Sequence, residues 1–89
     1  MAILIKPGGT RTKVTPANGK KFTFKELYAI IGCELVEFAY PPGRKGPFLV
    51  VDEEGWLAGK QFNPVATGIY GHPGDYIVGN ALLCNPGEA

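Results

Sequence analysis

Residues 48–83 read FLVVDEEGWLAGKQFNPVATGIYGHPGDYIVGNALL, and this stretch decides the fold. Phe48–Val51 is apolar on both faces, the pattern of a strand inside a sheet. Asp52-Glu53-Glu54-Gly55 has the composition of a tight turn, with Gly55 placed for a positive φ. Trp56–Ala58 then reads as the return strand of a hairpin. Asn63 followed by Pro64 is a helix start, with Asn as the cap and Pro at the first position, opening a short helical turn near residues 64–67. Gly68, Gly71, Pro73 and Gly74 make the next connection irregular. Tyr76–Leu83 is a closing strand, and Gly79 inside it marks a bulge or a close backbone approach.

Working outward, Ala2–Lys6 is a short apolar strand stopped by Pro7-Gly8-Gly9. Thr10–Thr15 is a second strand, with Arg11 and Lys13 alternating against β-branched residues. The two form a hairpin, which Pro16 and Asn18-Gly19 end. Thr23 and Glu26 have the spacing of a capping box, and Phe22 and Leu27 that of a hydrophobic staple. Phe24, Leu27, Tyr28 and Ile31 share one helical face, and Gly32 suits the left-handed end of a helix spanning about 24–31. At under three turns, that helix needs a sheet to pack on. Cys33–Tyr40 reads as a strand, followed by the loop Pro41–Pro47, whose prolines exclude helix and central strand. The chain is therefore α+β: a small antiparallel or mixed β-sheet of about five to six strands, with one packed helix (24–31) and the helical turn near 64–67.

With 89 residues the chain forms one domain, 1–89. Its 45% hydrophobic and 19% charged composition is globular. At 13 Gly and 8 Pro it favours short elements joined by turns. The apolar start MAILIK yields to Lys6-Pro7 too early for a signal peptide, and no apolar run approaches the ~20 residues of a bilayer span. A cytosolic setting follows, in which Cys33 and Cys84 are reduced thiols in apolar surroundings.

The net charge of +1 hides an asymmetry. Residues 1–25 hold Lys6, Arg11, Lys13, Lys20, Lys21 and Lys25 with no acid, whereas residues 26–89 hold three basic and eight acidic side chains. Such polarity makes a basic surface for an anion, or is neutralised in space by the acidic half.

The chain contains no serine, which removes Ser-His-Asp catalysis. Its one histidine, His72, stands three positions before Asp75. The pair has the residue types of a base and its orienter, but is below the ligand count of a metal site. No sequence feature activates either thiol. Asp52-Glu53-Glu54 lacks the alternating oxygen ligands of a calcium loop. Two anion-binding candidates remain. One is the loop with Arg44 and Lys45 between glycines. The other is the Asn63-Pro64 helix start beside the 68–74 loop. Tyr40, Trp56, Tyr70 and Tyr76 are able to stack on a base, or to pack in a small core.

VVDEEGWLAGKQFNPVATGIYG followed by DYIVGNALL resembles a family of small uncharacterised domains encoded mainly by bacteriophages, plasmids and integrated elements. The matching positions are Asp52–Gly55 for an acidic turn, Asn63 for a polar anchor, and Asp75, Ile77 and Gly79 for the closing strand. The opening MAILIKPGG fits as well. The Pro41–Pro47 loop and the His72–Gly74 insertion are longer than the family pattern. The resemblance implies a genomic setting and no transferable activity: an accessory protein working in the host bacterial cytoplasm.

The expected function is non-enzymatic, binding and blocking a host (defence) protein, with Arg44, Lys45, Asn63, Tyr70, His72 and Asp75 as candidate contacts. Two alternatives stay open. One is a homo-oligomeric sponge for a nucleotide-type anionic signal, held by Arg44, Lys45 and the 68–74 loop. The other is nucleic-acid binding through Arg11, Lys13, Lys20 and Lys21. No catalytic residue, metal or cofactor is expected.

Overall fold

In the computed structural model, which describes residues 1–43 and 45–89, the chain runs β1 (Ala2–Ile5), β2 (Arg11–Val14), α1 (Phe24–Ile31), β3 (Val36–Ala39), β4 (Phe48–Asp52), α2 (Pro64–Tyr70) and β5 (Ala81–Cys84). Arg44 lies outside the described residues. The strands form one five-stranded sheet in the order β2-β1-β5-β4-β3, antiparallel at every junction. This is the α+β class that the strand and helix pattern implies. Among the described residues no helix is long and apolar enough to cross a membrane.

The last strand takes the central place. Leu82 of β5 sits opposite Leu4 of β1 on one side and Val50 of β4 on the other. The β1–β2 hairpin therefore joins the rest of the sheet only through β5. Strand alternation divides the core between the two faces. Ala2, Phe48, Val50, Leu82 and Cys84 pack with Leu27 and Ile31 of α1. Ala39, Leu49, Val51 and Ala81 pack on the opposite face with Ala66 of α2. Covering on both faces is why β4 reads as a continuous apolar run instead of alternating.

α1 has the ends its sequence predicts. The Thr23 hydroxyl accepts from the Glu26 amide at 3.2 Å, and the Glu26 carboxylate accepts from the Thr23 amide at 2.9 Å. Gly32 closes the helix at φ +79, and both members of the staple, Phe22 and Leu27, are buried together. α2 is longer than the expected turn. Asn63 caps it and Pro64 opens it, but it continues through Gly68 to Tyr70 and stops at Gly71, φ +70. A mid-helix glycine costs about 1 kcal/mol; packing of Ala66, Ile69 and Tyr70 on the sheet offsets that cost.

Four readings need correction. Trp56–Ala58 is not a return strand, because both edges of β4 are already paired, with β3 and β5. The segment instead winds as successive turns, with the Ala58 amide on the Glu54 carbonyl at 3.0 Å and the Lys60 amide on that of Gly55 at 3.0 Å. Gly55 is needed for space and not for a positive φ: a Cβ there would lie 2.8 Å from Val78 Cγ2. The span Cys33–Tyr40 shortens to β3, and Tyr76–Leu83 breaks at Gly79, φ +75, into a Phe62–Val78 bridge and β5.

Asn63 is fully buried and binds three parts of the fold at once. Its Nδ2 donates to the carbonyls of Ile5 at 3.0 Å and Gly79 at 2.9 Å. Its Oδ1 accepts from the Ala66 amide at 3.1 Å. Asn63→Ala removes the helix cap and two hydrogen bonds to main-chain carbonyls, at a cost of about 3 kcal/mol. Asn63→Asp keeps the cap but cannot donate. Both are expected to lower the urea midpoint, with the slope of the transition unchanged.

Glu88 holds the chain ends together. Its carboxylate accepts from the Met1 ammonium and, at 2.7 Å, from the Asn85 amide, while its carbonyl accepts from the Phe22 amide at 2.7 Å. Burial pushes the Glu88 carboxyl up, but those hydrogen bonds and the ammonium charge outweigh it and leave its pKa lowered. Hydrogen bonds from the Thr23 and Ala17 amides likewise lower Glu26. A lowered carboxylate stabilises the fold above its ordinary pKa of 4.5, and that contribution is lost as pH falls through the depressed value. Acid melts are therefore expected to show falling stability below about pH 4.5, with a shallower fall in Glu88→Gln.

Candidate functional site

On the α2 face of the sheet, the end of β3 and β4 and the segments 53–56 and 75–78 enclose a cleft of about 220 Å³. Glu37, Glu53 and Asp75 bring carboxylates to it, and Trp56, Tyr70 and Tyr76 bring aromatic rings. β-Strand alternation places Glu37 here, since its neighbour Phe38 packs with the α1-side core. Asp52 also borders the cleft but is already engaged. Its side chain is 6% exposed and pairs with Lys60 Nζ at 2.7 Å.

Lys60 is the support behind this wall. The same Nζ donates to the Gly32 carbonyl at 2.8 Å, placing a cation at the C-terminal end of α1, where the helix dipole favours one. Its stem lies so close to Gly79 that a Cβ there would meet Lys60 Cδ at 2.8 Å. One side chain thus connects the 53–60 turns, α1 and the approach to β5. A shielded pair of this kind is costly to break from one side only.

Beside the cleft, and sharing Trp56 and Tyr76 with it, lies an aromatic ridge. Trp56 is 61% and Leu57 86% exposed, and Phe62 and Tyr76 are exposed as well. The Trp56 and Tyr76 rings are 4.4 Å apart between centroids, and Phe62 meets Tyr76 edge-on at 5.7 Å.

Of the candidate contacts, the fold brings three together. Tyr70 and Asp75 line the cleft, and the His72 ring packs tilted against Tyr70 with centroids 4.3 Å apart. His72 Nε2 donates to the Tyr40 carbonyl at 2.7 Å, which fixes that nitrogen as the protonated one and ties the 71–75 loop to the end of β3. The only hydrogen bond between His72 and Asp75 is between backbone atoms, the Asp75 amide to the His72 carbonyl at 3.2 Å. Asn63, also a candidate contact, is the cap of α2 and is buried, and the fold uses its amide internally. Lys45 lines a different groove, on the α1 face. Arg44 lies outside the described residues.

The basic N-terminal residues do not converge. Val14 packs towards α1, so Arg11 and Lys13 project from the opposite face of edge strand β2, whereas Lys21 borders a groove beside Phe22 and Phe24 of the α1 layer. Sequence reasoning missed Glu37, Leu57, Phe62 and Lys60. Glu37 was legible from strand alternation, once β3 was fixed at Val36–Ala39. The others depend on the non-strand path of residues 53–62.

Among the described residues no three His, Cys, Asp or Glu side chains stand close enough to share a metal ion. Burial raises the Cys84 thiol to about 12. Burial and the Asp52 charge raise Cys33, against a smaller opposing effect of Lys60. Both shifts work against thiolate chemistry at neutral pH. A thiol reagent at pH 8 is expected to modify the half-exposed Cys33 slowly, and Cys84 only as fast as the fold opens. Rapid, equal modification of both thiols in the native protein would contradict this.

No curated protein and no solved structure matches the chain. Residues 1–89, its full length, match the family model described as a domain of unknown function, DUF3846, and the chain belongs to that family.

Proposed function

We propose that the protein is a non-catalytic binding module whose working surface is the Trp56–Leu57–Phe62–Tyr76 ridge together with the acidic cleft beside it. The carrying observation is the ridge itself. Four large apolar side chains, three of them in ring contact, face solvent on a chain of only 89 residues. Contiguous exposed apolar groups rimmed by charge are the usual form of a protein-contact surface, and Trp and Tyr are its commonest anchors. Nothing about folding requires Trp56 and Leu57 at these positions, since neither belongs to the two core clusters. The partner is a host protein, blocked by occupation of its surface. The resemblance to phage and mobile-element domains supports an accessory, anti-defence role in the bacterial cytoplasm.

The nucleic-acid alternative is disfavoured by the split of Arg11 and Lys13 from Lys21 across the sheet. A homo-oligomer that buries the same ridge is separable by light scattering at two concentrations.

Immobilised protein is expected to retain a specific host protein from bacterial lysate. Trp56→Ala combined with Leu57→Ala should reduce that retention more than tenfold, as truncating two interface anchors typically does. The melting temperature should hold, because both side chains are solvent-facing. Equal capture by the double variant, or no specific capture by the wild type, would rule the reading out.

A further inference from the structure

The opposite face of the sheet carries a groove of contrary chemistry. A cavity of about 430 Å³ lies between the end of β3, the loop at Lys45 and the C-terminal segment, with Phe38, Tyr40 and Phe48 as its aromatic lining. A smaller one of about 120 Å³ continues it along the start of α1, past Phe24 to Lys21. Phe38 and Ala89 line both, so the two are contiguous. Phe48 packs between the other two rings, with centroids 5.3 Å from each. Tyr40 and Phe24 leave their rings exposed.

The charged side chains that line this groove are of one sign. Its charged side chains among the described residues are Lys45 towards one end and Lys21 towards the other; no Asp or Glu side chain lines either cavity. Glu88, the nearest acid in sequence, is occupied by the Met1 ammonium and the Asn85 amide. Glu37, Glu53 and Asp75 line the cleft on the other face. Exposed aromatic rings flanked by lysines match a ligand that has an aromatic face and an anionic tail. Rings stack on bases of any identity, and lysines hold phosphate as point charges. The volume is within the range of small-molecule sites.

We propose that this groove is a nucleotide site, with the base stacked on Tyr40 and the phosphates held by Lys45 or Lys21. The site is independent of the aromatic ridge. Its failure leaves the protein-binding reading standing, and the reverse also holds.

Calorimetric titration with ATP, GTP, AMP, adenosine and inorganic pyrophosphate tests it. ATP or GTP is expected to bind, with AMP weaker and adenosine or pyrophosphate alone weaker still. Raising the salt should weaken binding. Lys45→Glu and Tyr40→Ala should each reduce affinity roughly tenfold, the typical loss for one charge contact or one stacked base. Lys13→Glu, on the other face, should leave affinity unchanged. Lys45, Tyr40 and Lys13 are all solvent-exposed, so the variants should melt with the wild type. The proposal is overturned by no heat with ATP or GTP at about 1 mM, the weak end of specific affinity. It is equally overturned by wild-type affinity in both Lys45→Glu and Tyr40→Ala, or by pyrophosphate binding as tightly as ATP.

Discussion

The fold depends on one buried amide. A sheet whose central strand comes last in sequence must bring residues near 5 and near 80 together, and it must seat a short helix over their junction. Asn63 meets all three demands with a side chain that has two donors and an acceptor of matching directions. A serine, threonine or aspartate would cap α2 as well, but none presents two amide hydrogens to two carbonyls. The geometry of the junction selects asparagine among the capping residues, and this is a stronger constraint than helix capping alone.

Lys60 plays a corresponding role at the same end of the sheet, on the β4 side of Gly79. Its ammonium sits between the Asp52 carboxylate and the Gly32 carbonyl, so a residue remote from α1 supplies the cation its last turn lacks. The pair is shielded, with the Asp52 side chain almost wholly covered. Its value lies in fixing where the 53–60 turns leave the sheet, and through them the direction in which Trp56 and Leu57 project. The aromatic ridge is exposed because its base is held, not because the segment lacks structure.

Local signals were readable where the chemistry is local. The Thr23–Glu26 box, Gly32, the Pro7–Gly9 hairpin and the Asn63-Pro64 helix start all act over four residues or fewer, and each appears as the sequence implies. What was not readable depends on partners distant in sequence. Trp56–Ala58 has the composition of a strand, and only the knowledge that β5 already occupies that edge of β4 excludes it. Asn63 looked available to a ligand because its two acceptor carbonyls, on Ile5 and Gly79, are 58 and 16 residues away. The candidate contacts fared likewise: Tyr70, His72 and Asp75 are close in sequence and meet in space, whereas Lys45 is carried to the other face. The single basic surface suggested by the charge count dissolves for the same reason, since alternation along β2 turns Arg11 and Lys13 away from Lys21.

Asn63 and Asn18 differ in how they will age. Loss of ammonia from asparagine proceeds by attack of the following backbone nitrogen on the side-chain amide. Proline in the next position has no hydrogen on that nitrogen, so Asn63, on which the fold depends, is chemically protected by Pro64 as well as by burial. Asn18 precedes Gly19, which offers no Cβ to hinder the attack, and it stands on the surface with its Oδ1 accepting from the Lys20 and Lys21 amides at 2.9 Å each. Conversion there lengthens the backbone by one methylene and adds a negative charge beside Lys21. The molecule's chemical clock is therefore set at the entrance to its basic groove and kept away from the residue that holds the sheet together.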